Sequence, residues 1–170
     1  ENNFAQKMNT REAVAVSSGT AAIRVALAAL NIGHGDEVIT QSFTFVATVE
    51  AIIESGAKPV CAEIDATLNL DPESLLSLIN KNTRAVILVH MLGTSGDINR
   101  IKEICEQKSL YLIEDTAWGC GSKFEDKYLG TFGDVGCFSF DYAKTITTGE
   151  GGMVISDNKE IIRKAREYHD

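Results

Sequence analysis

The chain has 170 residues and a mass of 18.4 kDa, enough to bury one core of ordinary size and short for two. Asp and Glu number 24 against 16 Lys and Arg, a formal charge of −8, which argues against a binder of nucleic-acid backbones, because that affinity needs clustered cations. Hydrophobic residues at 44% and charged residues at 24% exclude a disordered or collagen-like chain.

The first residues, ENNFAQKMNTRE, are polar and carry no secretory core. The chain opens with Glu1 rather than Met, so its true N-terminus is expected to lie upstream. A short β-branched run at 13–17 reads as the first strand. Ile23, Leu27 and Leu30 then fall on one helical face. This is the longest apolar stretch, residues 21–32, but Arg24 interrupts it and it is shorter than the roughly 18 to 20 residues of a membrane span.

Further strands are expected at 37–40, 59–64, 85–90 and 110–114. Helical faces lie between them, at Leu75, Leu76 and Ile79 and at Ile98, Ile101 and Cys105. Near-continuous apolar strands joined by helices imply an α/β fold, a mostly parallel sheet covered on both faces and built from right-handed βαβ units. After Glu114 the rhythm changes: strands at 135–140 and 153–156 follow Gly-rich loops, which leaves room for an antiparallel member. The last pattern, 158–168, is helical, with Asp157 or Asn158 as N-cap, and it stops at Asp170 without a cap, as a truncated chain would. No repeat or linker divides residues 1–170, so a single domain is expected.

Ligands of parallel α/β sheets bind beyond the carboxyl ends of the strands, and three such places stand out. The first is Ser17-Ser18-Gly19-Thr20-Ala21 at a strand-to-helix junction, either a phosphate cradle or simply an N-cap. The second is Glu114-Asp115, where alternation sends the two carboxylates to opposite faces, so one at most enters a given site. The third is Lys144, after a buried strand and before the run TTGEGG. An amine there suits Schiff-base chemistry, although a lone loop Lys is more often solvated. Phosphate donors, then an acid, then a Lys with glycines is the order of a pyridoxal phosphate (PLP) site, with Lys on the aldehyde and Asp on the pyridinium nitrogen.

The runs SSGTAA, GDEV, SFTFVAT, VHMLG, IEDTA, GTFGDVGCFSF and KTITTGEGGMV, in this order from residue 13 to the end, resemble the DegT/StrS-type sugar aminotransferases, PLP enzymes of fold type I. The resemblance implies a three-layer α/β/α large domain with a mostly parallel seven-stranded sheet. It implies Lys144 as the covalent anchor and proton shuttle and Asp115 as partner of the pyridine nitrogen. Ser139, Thr20 and Ala21 would bind phosphate, Gly19 would give clearance, and Phe45 would stack on the ring unless it is an ordinary core residue. Trp118 departs from the pattern, since many relatives carry Gln or His there. Indole donates one hydrogen bond and accepts none, so it would cover the ring or line the sugar pocket. A branch of the family has His in place of the lysine and dehydrates its substrate; Lys144 argues against that branch.

The implied reaction is a ping-pong transfer from an amino-acid donor, glutamate, to a keto-sugar acceptor, nucleotide-linked, for lipopolysaccharide or other amino-sugar biosynthesis. A homodimer is implied, with part of the site supplied by the partner. Relatives have roughly twice as many residues, so an N-terminal segment and a small C-terminal domain are expected to be missing. A PLP-binding regulator or non-catalytic fragment is the alternative. A nucleotide-binding Rossmann module is weaker, because no G-x-G-x-x-G follows the first strand. His90, His34 and His169 are read as structural, loop and tail residues. Cys61, Cys105, Cys120 and Cys137 form no C-x-x-C pair and have no nearby His, so no metal site is expected and a reduced, cytoplasmic setting fits.

Overall fold

A computed structural model describes residues 1–169. The chain begins with helix α1 (Asn2–Met8) and strand β1 (Glu12–Val16), followed by α2 (Gly19–Ala29), β2 (Glu37–Gln41), α3 (Val46–Glu54) and β3 (Lys58–Ala62). Next come α4 (Pro72–Leu78), β4 (Thr83–Val89), α5 (Ile98–Lys108) and β5 (Tyr111–Asp115). A two-stranded hairpin, β6 (Lys123–Phe124) with β7 (Lys127–Tyr128), precedes β8 (Val135–Ser139), β9 (Gly152–Ser156) and α6 (Lys159–His169).

Seven strands form one sheet in the order β1-β9-β8-β5-β4-β2-β3. β2 pairs in parallel with β3 and β4, β4 with β5, and β5 with β8. β9 alone runs against the rest, antiparallel to both β1 and β8. The carboxyl ends of β1, β2, β4, β5 and β8 therefore meet at one edge, which is where the three sequence segments converge.

Alternation along the strands builds two cores. Val14, Val38, Ile87, Ile113, Cys137 and Val154 face α2, α3 and α6, whose Leu27, Ile52 and Ile162 are buried against them. On the other face Ile39, Val86, Leu88 and Leu112 meet α4 and α5 through Leu75, Ile98 and Ile101. There too α1 sets Ala5 and Met8 beside Phe138 and Ile155. Burying one such side chain contributes about 1.5–3 kcal/mol. The layers are thus helix, sheet, helix.

Most boundaries lie within two residues of the sequence expectation, and the exceptions are instructive. α1 was masked by its polarity, since NNFAQKM offers only one narrow apolar edge. α3, VATVEAIIE, is rich in β-branched residues that favour strands, yet it buries Thr48, Ala51 and Ile52 as a helix. In α4 only Leu75 is buried: Leu76 turns outward and Ile79 is already extended, so the expected three-residue face is not formed. Asn158, not Asp157, caps α6 by accepting from the Glu160 N–H, while Asp157 accepts from the Arg11 N–H.

Gly136 illustrates how tightly the middle of the sheet is packed. A Cβ there would lie 2.1 Å from the Gly130 carbonyl oxygen, which belongs to rigid backbone. Gly136→Ala is expected to cost about 1–3 kcal/mol or more, as overpacking does, and to lower the thermal midpoint by several degrees. Unchanged thermal unfolding would contradict this packing.

Candidate active site

At the carboxyl edge of the sheet lies a cavity of about 460 Å³, lined by residues of the loops after β1, β2, β4, β5 and β8. Of the residues singled out in the sequence, Gly19, Thr20, Phe45, Asp115, Trp118, Ser139 and Lys144 all line it.

The β1–α2 junction is a capped helix start. Ser18 is extended, at φ −163°, and its Oγ accepts from the Ala21 N–H at 3.1 Å. The Ala21 N–H, read as a phosphate ligand, thus has an acceptor inside the chain, and Ala21 does not line the cavity. The Gly19 and Thr20 N–H groups belong to the first helical turn and have no acceptor one turn back. N-cap and anion cradle are therefore compatible readings, met by different amides. At Gly19 a Cβ would stand 2.7 Å from Ser139 Cβ, so only glycine lets the junction close onto the end of β8.

Asp115 and Glu114 point to opposite faces, as strand alternation requires. Asp115 enters the cavity, almost fully buried. Its Oδ2 accepts from Thr48 Oγ1 at 2.8 Å and its Oδ1 from the Ala117 N–H at 3.2 Å. Burial pushes its carboxyl up from the usual range; the Thr48 and Ala117 hydrogen bonds and the charges of His90 and Lys144 oppose this. Glu114 faces the rear of the sheet and meets His90. His90 therefore lies behind the sheet, outside the cavity lining, and His34 sits exposed on its loop.

Lys144 stands on the loop between β8 and β9. That loop is closed at its base, where the Phe140 N–H donates to the Gly151 oxygen and the Thr148 N–H to the Phe140 oxygen. Gly149, at φ +88°, supplies a left-handed turn. Half-buried Lys144 brings its Nζ to 4.0 Å from the centre of the Trp118 ring and 5.8 Å from that of Phe45. Phe45 is no core residue: it is 64% exposed at the start of α3.

Several lining residues escaped the sequence reading, among them Met91, Tyr142 and Glu150. Thr48, which does not line the cavity but holds Asp115 from behind, escaped it too and is the most consequential. The signal that could have found it is a hydroxyl on the buried face of an apolar helix, a place that requires a polar partner. Cys120 and Cys137 are buried and their thiols are pushed up by desolvation, so neither is a nucleophile. No group of three or more His, Cys, Asp and Glu among the described residues could hold a metal ion, and no helix among them is long and apolar enough to cross a membrane.

A buried acid, an amine and a helix-start cradle thus share one cavity. The model of the DegT/DnrJ/EryC1/StrS aminotransferase family matches residues 1–170. The chain belongs to this family.

A GDP-perosamine synthase of Vibrio cholerae is 47% identical over 165 residues, covering 96% of this chain and 45% of that protein. The aminotransferase from Psychrobacter cryohalolentis superposes with a TM-score of 0.96 at 37% identity, over 99% of this chain and 43% of its own. NtdA from Bacillus subtilis, solved with bound cofactor PMP, gives a TM-score of 0.89 at 32% identity, over 96% of this chain and 38% of its own. The chain thus spans less than half the length of these DegT/DnrJ/EryC1/StrS relatives. Its fold is that of the fold-type-I PLP enzymes, and the family is PLP-dependent.

The cavity of this family member suits that cofactor. It has a cradle that a Cβ at Gly19 would fill, a buried carboxylate beside it and an amine within reach of two aromatic rings.

Proposed function

We propose that the protein carrying this sequence is an aminotransferase of sugar biosynthesis that moves an amino group from an amino acid, glutamate, to a nucleotide-linked keto-sugar destined for a surface polysaccharide. The observation that carries the reading is the convergence of Lys144, Asp115 and the Gly19–Ser139 cradle on one cavity from three separate strand ends. A homodimer in the cytoplasm, with a further small domain, completes the proposal; the lengths of the relatives support the last point.

When bound, PLP supplies an aldehyde and an electron-accepting ring. The chain's residues do the rest. The Gly19 and Thr20 amides at the positive end of α2, with the Thr20 and Ser139 hydroxyls, hold a phosphate. Asp115, oriented by Thr48 and the Ala117 amide, offers a carboxylate to a protonated ring nitrogen and keeps the proton there. Phe45 and Trp118 cover the ring and shed water from it. Nζ of Lys144 would anchor the cofactor and, once the incoming donor amine has displaced it, would be free to take a proton from the amino-donor carbon and return one, the role of a positioned base and acid.

Trp118 is the single tryptophan of the chain, which makes it a reporter. Adding PLP is expected to quench its fluorescence and to produce a long-wavelength absorbance band, which glutamate then converts to the pyridoxamine form. A band that glutamate leaves unchanged would favour a PLP-binding regulator or a fragment without turnover. No band and no quenching would remove the proposal.

A further inference from the structure

The mechanism leaves one buried polar cluster unused. Glu114 is fully buried on the rear face of the sheet, and both of its oxygens are filled by donors. Oε1 accepts from the Phe132 N–H at 2.6 Å and the Gly133 N–H at 2.7 Å. Oε2 accepts from the Gly130 N–H at 2.7 Å and stands 2.8 Å from His90 Nε2. Three of the four partners can only donate, so the carboxylate is acceptor-only and Nε2 of His90 carries the fourth proton. Burial would push the Glu114 carboxyl up, but the His90 bond and charge and the Gly133 and Gly130 amides hold it below the usual range.

This cluster is joined to the catalytic edge through the backbone. The His90 N–H donates to the Asp115 carbonyl at 3.0 Å, and the Thr116 N–H to the Cys137 carbonyl at 2.8 Å. His90 and Glu114 thus close a ring across the ends of β4 and β5, with the main chain of Asp115 inside it. Glu114 at the same time pins the 130–133 turn, whose Gly130 lies flush on Gly136 of β8. Neither Glu114 nor His90 lines the cavity. Nδ1 of His90 has no partner among the described residues, so its bond to Glu114 is the ring's single tie.

We infer that Glu114 and His90 are positioning residues that aim the Asp115 carboxylate at the cofactor from behind the sheet. The inference rests on the proposed PLP site. A carboxylate whose neighbour in sequence is clamped by four donors cannot swing with its strand end. Loosening the clamp lets Asp115 swing and so alters the protonation and affinity of the bound ring without substituting any residue that lines the cavity. Outer partners of this kind are worth about 10- to 100-fold where they orient metal ligands, and an effect of that order is expected here.

The test uses the purified protein with PLP, reading the dissociation constant and the absorbance of the bound chromophore against pH. Glu114→Gln sets an amide NH₂ against donors, and His90→Leu removes the tie. Both are expected to weaken PLP binding at least about tenfold and to change the pH profile of the chromophore, in samples shown by circular dichroism to be folded. His90→Gln, whose amide nitrogen reaches where Nε2 stood, is expected to restore both readings, and His90→Asn, which falls short of Glu114, is not. This pair decides the matter should the first two variants fail to fold. Folded variants with wild-type affinity and spectrum would overturn the inference, as would equal behaviour of the Gln and Asn variants. Absence of PLP binding by the wild type would instead overturn the proposed function beneath it.

Discussion

Lys144→Ala is expected to abolish covalent retention of PLP and to lower transamination by at least about 100- to 10,000-fold, the range a positioned acid–base group supplies, with loss of the anchor added to it. The reason is positional. Lys144 is the cationic side chain of the cavity, on a loop closed at its base, with two aromatic rings about its Nζ. Borohydride reduction of the PLP-loaded protein followed by peptide mass spectrometry should place the pyridoxyl label on Lys144. Label on another lysine, or retained turnover in the variant, would refute the assignment. Truncation removes a half-exposed side chain from a loop, so thermal stability without PLP should hardly move.

Asp115→Asn should separate stability from function. Burial raises the Asp115 carboxyl above its ordinary value of 3.8, so the folded state binds this proton more tightly than the unfolded chain. An acid raised in this way lowers stability progressively as pH climbs from the unfolded value through the folded one, and the cost is complete only above the folded value. Asparagine removes that cost, and its hydrogen bonds can be met. Its oxygen accepts from the Ala117 N–H, and its NH₂ donates to Thr48 Oγ1. The Thr48 hydroxyl then turns to Thr44 Oγ1, 2.8 Å away, where either oxygen can donate. The unliganded variant should therefore be about as stable as wild type at pH 3, below the unfolded value, and at least as stable at pH 7. Transamination should fall by at least about 100-fold, because the carboxylate that holds the ring proton is gone. A midpoint lowered at pH 7, or activity within a few-fold of wild type, would contradict this account.

Much of the site was legible because its chemistry is local. Ser18-Gly19-Thr20 announces a capped helix start, Glu114-Asp115 ends an apolar strand, and Lys144 is followed by glycines that turn the chain. Strand positions were readable for a related reason: parallel strands buried on both faces must be apolar on both sides, as the 85–89 run of β4 is. The α/β class and the cavity residues Gly19, Thr20, Phe45, Asp115, Trp118, Ser139 and Lys144 followed from these features together with the resemblance.

What escaped was set by partners far away in sequence. Helix α3 forms against its β-branched propensity because Ala51 and Ile52 gain burial on the sheet. Thr48 meets Asp115 across 67 residues, and His90 meets Glu114 across 24. The sequence by itself determined which groups could do chemistry and at which strand ends they stand, since residue type and hydrophobic period are local properties. Tertiary structure alone decided which of them share a cavity, because strand order, and the burial that turns a carboxylate into a site, arise only when the sheet closes its two cores.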